Sequence, residues 1–163
     1  MSELRSRAML ARLIGFATVS RDSNLALIEF VRDYLRDLGV DCELIYNAER
    51  TKANLLATVG PRVAGGIVLS GHTDVVPVDG QAWTVEPFCL SEANGKLYGR
   101  GAADMKGYLA SVLAARTRVS TSEDLVCHYW GHARGFMHLQ IGRLLERYHA
   151  ERPEPFFAAA AAV

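Results

Sequence analysis

The order of apolar and polar residues divides the first 115 positions into helical and extended segments. Apolar residues recur three and four positions apart within residues 4–19 and again within residues 19–39, which predicts two amphipathic helices. Gly39 ends the second helix, and Asp22 or Ser23 is predicted to cap its first turn. The predicted core-facing residues are Leu10, Leu13, Ile14 and Ala17 in the first helix and Leu27, Ile28, Val31, Leu35 and Leu38 in the second.

Shorter extended segments follow these helices. Three strands are predicted from VDCELIYN (40–47), ANLLATVG (53–60) and GIVLSG (66–71). A hairpin is predicted to turn at Asn94-Gly95, and residues 105–115 are predicted to form a further helix. The inward residues of that helix are Leu109, Val112 and Leu113. Apolar strands between helices are typical of an α/β fold, in which helices flank a largely covered central sheet.

Composition excludes several classes of function. Over 163 residues, 18 basic side chains balance 18 acidic ones, so no excess of charge favours nucleic acid or an anionic membrane as a partner. No apolar stretch approaches the roughly 20 residues that span a bilayer, and the N-terminus lacks the apolar centre of a secretory signal. Three widely spaced cysteines, Cys42, Cys89 and Cys127, predict no disulfide framework and fit a cytoplasmic protein.

His72 and Asp74 stand at the carboxyl end of the third predicted strand, one residue apart. Ligand sites of open α/β sheets lie at such strand ends, and the alternation of an extended segment turns both side chains to one side. A neutral imidazole is a common metal ligand, and a neighbouring carboxylate can orient it. For this pair taken alone, the alternative is a histidine that only hydrogen-bonds its neighbouring aspartate.

Asp104 lies where a glycine-rich loop enters the next predicted helix. Gly99 and Gly101 are spaced as in a dinucleotide-binding loop, but an acid in place of that loop's third glycine would repel a pyrophosphate. We therefore interpret the two glycines as a sharp turn that aims Asp104. For an aspartate at this place, capping of the helix is the alternative role.

Two motifs, GHTDVVP (71–77) and GRGAADMKG (99–107), are separated by a tryptophan-bearing loop and the predicted hairpin. Together they resemble the zinc-dependent amide hydrolases, a family of deacetylases, desuccinylases, aminoacylases and carboxypeptidases. The resemblance covers residues 4–115, and residues 70–107 are most similar to the members that deacetylate N-acetylornithine. It implies part of a zinc-peptidase-like catalytic domain that acts on a small N-acyl amino acid.

The resemblance also implies a role for each candidate residue. His72 would ligate one of two zinc or cobalt ions, and Asp104 would bridge the two ions. Asp74 would hold the tautomer and basicity of His72 as part of the catalytic machinery, and the peptide bond between Asp104 and Met105 would be cis. The metal ions would activate a water molecule and polarise the amide oxygen, and members of the family form homodimers.

The family features stop at residue 115 or 116. We therefore predict that residues 1–115 are the N-terminal part of a metallohydrolase catalytic domain and that residues 116–163 are a divergent tail with a frayed end. The later glutamate pair of the family is not recognisable, because Glu123-Asp124 precedes an apolar stretch instead of following one. The chain also has no room for the dimerisation (lid) domain. A frameshift or a truncation is our hypothesis for this break.

Two alternatives to a deacetylase remain. One is a non-catalytic, truncated part of the family that binds at most one metal ion weakly, since zinc sites need at least three protein ligands. We accordingly expect the 163-residue chain alone to be inactive. The other is a related desuccinylase or dipeptidase. A separate zinc site in the tail is disfavoured for want of a paired C-x-x-C, although that segment contains Cys127, His128, His132 and His138.

Four further residues have structural interpretations. Trp83 and Phe88 are predicted to pack the loop that follows the first motif. For Arg100 one alternative is a place facing the cleft, but an arginine in a glycine-rich turn is more often solvated, and this is the role predicted for it. Cys89 has no recognisable partner base and is not a candidate nucleophile.

Overall fold

The computed structural model describes residues 2–59, 67–116 and 127–132, in which two helices are followed by five strands, a third helix and a sixth strand. The elements in chain order are α1 (Ser2–Ile14), α2 (Leu25–Asp37), β1 (Asp41–Tyr46), β2 (Ala53–Val59), β3 (Ile67–His72), β4 (Ser91–Ala93), β5 (Lys96–Tyr98), α3 (Gly107–Arg116) and β6 (Cys127–His132). A widened turn, Ala102–Lys106, leads directly into α3. The predicted α/β fold class is confirmed.

Four strands form the larger sheet in the order β1–β2–β6–β3, and β4 pairs with β5 in a separate hairpin. Strand β2 is antiparallel to both β1 and β6, whereas β3 and β6 run parallel. Strand β6 comes from the segment after residue 115 and lies between β2 and β3. The carboxyl ends of β3 and β6 therefore meet at one edge of the sheet, where His72 is the register partner of His132.

All three helices and β2 contribute to one hydrophobic core. Its buried members include Leu10, Leu13, Ile14, Leu27, Ile28, Val31, Leu35, Leu55, Leu109 and Leu113. This core holds α3, and with it the turn that precedes α3, against the rest of the described chain. The prediction of an inward side chain is wrong for Ala17, which is exposed because α1 already ends at Ile14.

Two helices begin later than predicted. Asn24 occupies the N-cap position of α2 but makes no capping hydrogen bond with its side chain, whereas Ser23, one of the two predicted capping residues, accepts a hydrogen bond from the Leu25 N–H through its Oγ at 3.2 Å. The Asn24 side chain instead donates to the backbone oxygen of Ala53 at 2.9 Å and accepts from its N–H at 3.0 Å, which ties the helix to β2. Helix α3 begins at Gly107 and not at residue 105, because the widened turn occupies residues 102–106.

Strand β3 is less covered than predicted. Val68 is 48% exposed, so a continuous apolar sequence does not mark a strand that is buried on both faces here. The opposite face packs on α3: a Cβ added at Gly71 would lie 2.6 Å from the Cδ2 atom of Leu109. Close approach of α3 to β3 therefore requires glycine at this position. No helix within the described ranges is long and apolar enough to cross a membrane.

Candidate metal and catalytic site

A cleft of about 480 Å³ lies beyond the carboxyl end of β3. Its walls come from the segment after α1, from the residues at and after the end of β3, and from the glycine-rich turn before α3. The lining residues are Ser20, His72, Asp74, Val75, Val76 and residues 99–104. The fold thus brings together all three residues that the motifs singled out.

Both ring nitrogens of His72 face oxygen atoms. Nδ1 lies 3.0 Å from the backbone oxygen of Asp74 and 3.3 Å from its Oδ1, while Nε2 lies 3.0 Å from Oδ1 of Asp104. A neutral imidazole has a single N–H, and the role of each nitrogen follows from its tautomer. With the N–H on Nδ1, toward the backbone oxygen of Asp74, the lone pair of Nε2 points at a carboxylate oxygen. In that tautomer the two atoms are held together by a shared cation, either a proton or a metal ion.

Asp104 reaches His72 because the chain turns tightly before α3. Gly101 has a φ of +80°, a backbone conformation that is strained for residues with a Cβ. Its backbone oxygen accepts a hydrogen bond from the Lys106 N–H, five positions later, at 2.9 Å. The Asp104–Met105 peptide bond is cis, as predicted. The Asp104 side chain is 86% exposed and contacts His72, and Asp104 lies inside the widened turn, three positions before α3 begins at Gly107. The helix-cap interpretation of Asp104 is therefore wrong.

Asp74 is the buried carboxylate of the site, with a side chain that is 6% exposed. Its Oδ2 accepts a hydrogen bond from Oγ of Ser20 at 2.6 Å, and its Oδ1 faces His72. The sequence did not indicate Ser20, because this serine lies 54 positions before Asp74 and no local pattern joins the two.

Lys106 is a second buried charge beside the site that the motifs did not identify. Its Nζ donates to the backbone oxygen of Phe16 at 2.7 Å. Burial lowers the pKa of Lys106 from 10.5 to about 8, and the Asp74 carboxylate opposes part of that shift. The one hint in the sequence is that Lys106 follows Asp104 by two positions within the second motif.

Arg100 forms part of the cleft wall, so the prediction of a simply solvated side chain is wrong. Its guanidinium carbon lies 4.9 Å from the centre of the Trp83 ring, and its Nη2 donates to Oε1 of Gln81. The indole N–H of Trp83 donates to the same oxygen at 3.1 Å. Stacking on an aromatic ring holds the positive charge at the cleft. Within the described ranges no carboxylate forms an ion pair with it.

The donor atoms suit a metal ion but do not complete a site within the described residues. Imidazole nitrogen and carboxylate oxygen are both ligands that zinc accepts, and Nε2 of His72 lies 3.0 Å from Oδ1 of Asp104. In the described ranges, no group of three His, Cys, Asp or Glu side chains is placed to hold a metal ion. The candidates of the tail lie outside the described side chains: Glu123, Asp124, Cys127, His128, His132 and His138.

Known protein sequences match the part of the chain that contains the two motifs. Residues 68–124 match Peptidase family M20/M25/M40. Acetylornithine deacetylase of Proteus mirabilis (strain HI4320) is 48% identical over 102 residues, which are 62% of this chain and 26% of that protein. Acetylornithine deacetylase of Shigella sonnei (strain Ss046) is 49% identical over 92 residues, 56% of this chain and 24% of that protein. The chain therefore spans about a quarter of the length of these relatives.

Solved structures share the fold. Human carnosine dipeptidase 1 aligns with a TM-score of 0.70 over 93% of this chain and 37% of that chain, at 24% sequence identity. The M20 family metallo-carboxypeptidase Sso-CP2 from Sulfolobus solfataricus aligns with a TM-score of 0.70 over 90% of this chain and 34% of its own, at 21% identity. These likenesses confirm the predicted partial α/β fold, which the chain shares with both structures.

Proposed function

We propose that this chain, whose N-terminal part is related to Peptidase family M20/M25/M40, carries part of the active site of a metal-dependent amide hydrolase. Its substrate would be a small N-acyl amino acid, with N-acetylornithine as the first candidate, which corresponds to a step of arginine biosynthesis in the cytoplasm. The observation that carries the proposal is the 3.0 Å approach of Nε2 of His72 to Oδ1 of Asp104, which places a nitrogen and a carboxylate oxygen, two atom types that zinc accepts as ligands, side by side in the cleft.

His72 and Asp104 would hold zinc or cobalt, and the bound metal would supply a Lewis acid for the amide oxygen and a more acidic water. The chain's own residues prepare the ligands. The oxygens of Asp74 keep the N–H of His72 on Nδ1, so the lone pair of Nε2 faces the cleft. The side chain of Asp104, which contacts Nε2 of His72, is exposed to solvent, so its carboxylate is available to bind the metal ion.

The charge of Arg100 supports an anionic substrate. An N-acyl amino acid retains its α-carboxylate, and a guanidinium is the side chain best suited to bind one. Arg100 is held at the cleft by Trp83 and Gln81 and forms no ion pair with a carboxylate of the described residues. We therefore assign Arg100 to the substrate carboxylate.

A non-catalytic chain is the second candidate. One observation favours it: within the described ranges, only His72 and Asp104 offer ligand atoms to a shared ion, which is fewer than the three that protein zinc sites require. In this case the chain would bind a metal ion weakly and would not turn over substrate. A related desuccinylase or dipeptidase is the alternative within the enzyme class.

Cobalt binding to the purified 163-residue chain tests the metal site. We expect visible absorption from bound Co²⁺ in the wild type and its loss in His72→Ala. Asp79→Asn is the matched control, because Asp79 is exposed and pairs with Arg21 outside the cleft lining. Equal binding by the wild type and His72→Ala would contradict the proposed site.

The substrate class is tested on the zinc-loaded chain. Saturation-transfer NMR with N-acetylornithine, an N-succinyl amino acid and a dipeptide ranks the three compounds by their affinity for the chain. We expect N-acetylornithine to bind most tightly. A preference for the dipeptide would replace the deacetylase assignment with a dipeptidase. Release of acetate is measured on the same sample: its absence supports the non-catalytic candidate, and steady turnover excludes it.

A further inference from the structure

The buried carboxylate of Asp74 uses its two oxygens differently. Oδ2 accepts a hydrogen bond from Ser20 at 2.6 Å, whereas Oδ1 lies 3.3 Å from Nδ1 of His72. Ser20 Oγ also lies 3.2 Å from the backbone oxygen of Val75, but a hydroxyl has one proton, and the shorter contact with the charged acceptor is the stronger. The hydroxyl of Ser20 therefore occupies Oδ2 and leaves Oδ1, a buried atom without a hydrogen-bond partner among the described residues, facing Nδ1 of His72.

The backbone holds Ser20 beside this carboxylate. The segment Thr18–Ser20 pairs with residues 73–75: the Ser20 N–H donates to Val75 at 3.0 Å, and the Val75 N–H donates to Thr18 at 2.9 Å. Nζ of Lys52 donates to the backbone oxygen of Ser20 at 2.5 Å. Contacts on both sides thus place the serine independently of its own hydroxyl.

We propose that Ser20 is a positioning residue of the metal site, acting through Asp74 on the imidazole of His72. This inference rests on the proposed function, because it assigns His72 as a metal ligand. Without the hydroxyl, the Asp74 carboxylate can rotate, and Oδ1 no longer stays opposite Nδ1. The imidazole then keeps only the backbone oxygen of Asp74, and the lone pair of Nε2 is less well aimed at the ion shared with Asp104.

A purely structural hydrogen bond is the competing explanation for Ser20. The neighbouring Thr18 already supplies such a bond, since its Oγ1 donates to the backbone oxygen of the buried Thr73 at 2.6 Å. The Ser20 hydroxyl differs because its acceptor is the carboxylate that lies beside Nδ1 of His72. A role through Asp74 makes a prediction that a structural role does not: removal of Ser20 has no further effect once Asp74 has been removed.

A double-mutant cycle on the full chain tests this coupling. We expect Ser20→Ala to weaken Co²⁺ binding about 10-fold, at the lower end of the range for groups that orient a ligand. In the Asp74→Ala background, we expect the same serine substitution to change Co²⁺ affinity by less than about twofold. Equal effects of Ser20→Ala in both backgrounds would overturn the proposal.

The Nδ1 proton of His72 gives a second readout in the metal-free chain. Its NMR resonance in Ser20→Ala is expected to move from the wild-type position toward that of Asp74→Ala, because the carboxylate acceptor is lost. This measurement separates the two proposals. If the wild type binds no cobalt, the metal function fails, while an Nδ1 resonance that does not respond to Ser20→Ala overturns the role of Ser20.

Two further comparisons distinguish the hydroxyl from folding effects. Ser20→Thr retains the hydroxyl, and Ser20→Val has the shape of threonine without a hydroxyl. Only the threonine variant should therefore keep the wild-type resonance and cobalt affinity. Ser23→Ala is the matched control: Ser23 belongs to the same connection between α1 and α2, but its Oγ bonds Thr51 and Leu25. An equal change in Ser23→Ala would also overturn the proposal.

Discussion

The two walls of the cleft differ in how their carboxylates are held. Asp74, on the inner wall, is almost fully buried and bonded to Ser20, whereas Asp104, on the outer wall, is 86% exposed and has His72 as its hydrogen-bond partner within the described ranges. The inner wall is therefore part of the folded framework, and the outer wall is available to a ligand. His72 lies between them and presents one nitrogen to each.

This contrast separates stability from binding. Substitution of the exposed Asp104 side chain should change ligand affinity and leave the fold intact, because exposed side chains contribute little to folding. Substitutions on the inner wall should change both, since they break buried hydrogen bonds. The four predictions that follow test the contrast.

Asp104→Asn is expected to have the largest effect on metal binding. It removes the charged ligand, so the affinity for Co²⁺ should fall at least about 100-fold, the upper limit for groups that only orient a ligand. The free energy of unfolding of the metal-free chain should change by less than about 0.5 kcal/mol, measured by urea denaturation. A large loss of stability in this variant would contradict the division between the two walls.

Lys106 should make the stability of the metal-free chain depend on pH. Its pKa is 10.5 unperturbed and about 8 in the fold, so between these values the unfolded chain binds a proton that the folded chain lacks. Unfolding then takes up a proton, and the free energy of unfolding rises with pH across this window, by up to about 3 kcal/mol.

The control for Lys106 is Lys106→Met, which removes the titrating group. Its free energy of unfolding, subtracted from that of the wild type, isolates the lysine from every other group that titrates at high pH. The difference is measured at about pH 7 and about pH 10.5, on either side of the window. A difference that stays constant across the two would contradict the lowered pKa.

Gly101→Ala tests the turn that aims Asp104. The backbone of Gly101 has a positive φ, and a Cβ added there would lie 2.7 Å from Cγ1 of Val75, on the inner wall. We expect a loss of about 2 kcal/mol in the free energy of unfolding. Gly80→Ala is the matched control, because Gly80 has a φ of +71° and no atom within 4 Å of the added Cβ.

The Gly80 substitution should lower the free energy of unfolding by about 1 kcal/mol, which is the cost of a positive φ for alanine alone. The excess in Gly101→Ala then measures the close approach of the turn to Val75. We also expect weaker cobalt binding in the Gly101 variant alone. Equal losses of stability in the two variants would show that the space beside Gly101 is not limiting.

Arg100→Gln should give the smallest effect, a decrease of about 10-fold in the affinity for N-acetylornithine without a change in cobalt binding. Saturation-transfer NMR on the zinc-loaded chain measures it. Arg50→Gln is the control, since Arg50 also stacks on an aromatic ring, Tyr46, but does not line the cleft. Equal affinity in both variants would remove Arg100 from the substrate site.

The ligands of the site could be predicted from short motifs. His72 and Asp74 follow an apolar strand, and Asp104 follows two glycines, so each has a local signal and a recognisable family pattern. The faces of the helices were predictable for the same reason, because the 3.6-residue period lies within each segment. Errors occurred where a neighbour distant in the chain decides the outcome: Asn24 bonds β2 and not its own helix, and Arg100 lies on Trp83.

Periodicity and motifs were thus enough to place the helices and strands before residue 116, the α/β class and the residues offered to a metal ion. Only the folded chain brings Ser20 to Asp74 across 54 positions and Lys106 to Phe16 across 90. It also inserts β6 between β2 and β3. The physical reason is one of range. The period of apolar residues within a segment and the nearest neighbours in sequence determine its local conformation. Hydrogen bonds to a buried carboxylate depend instead on which distant segments the hydrophobic core brings together.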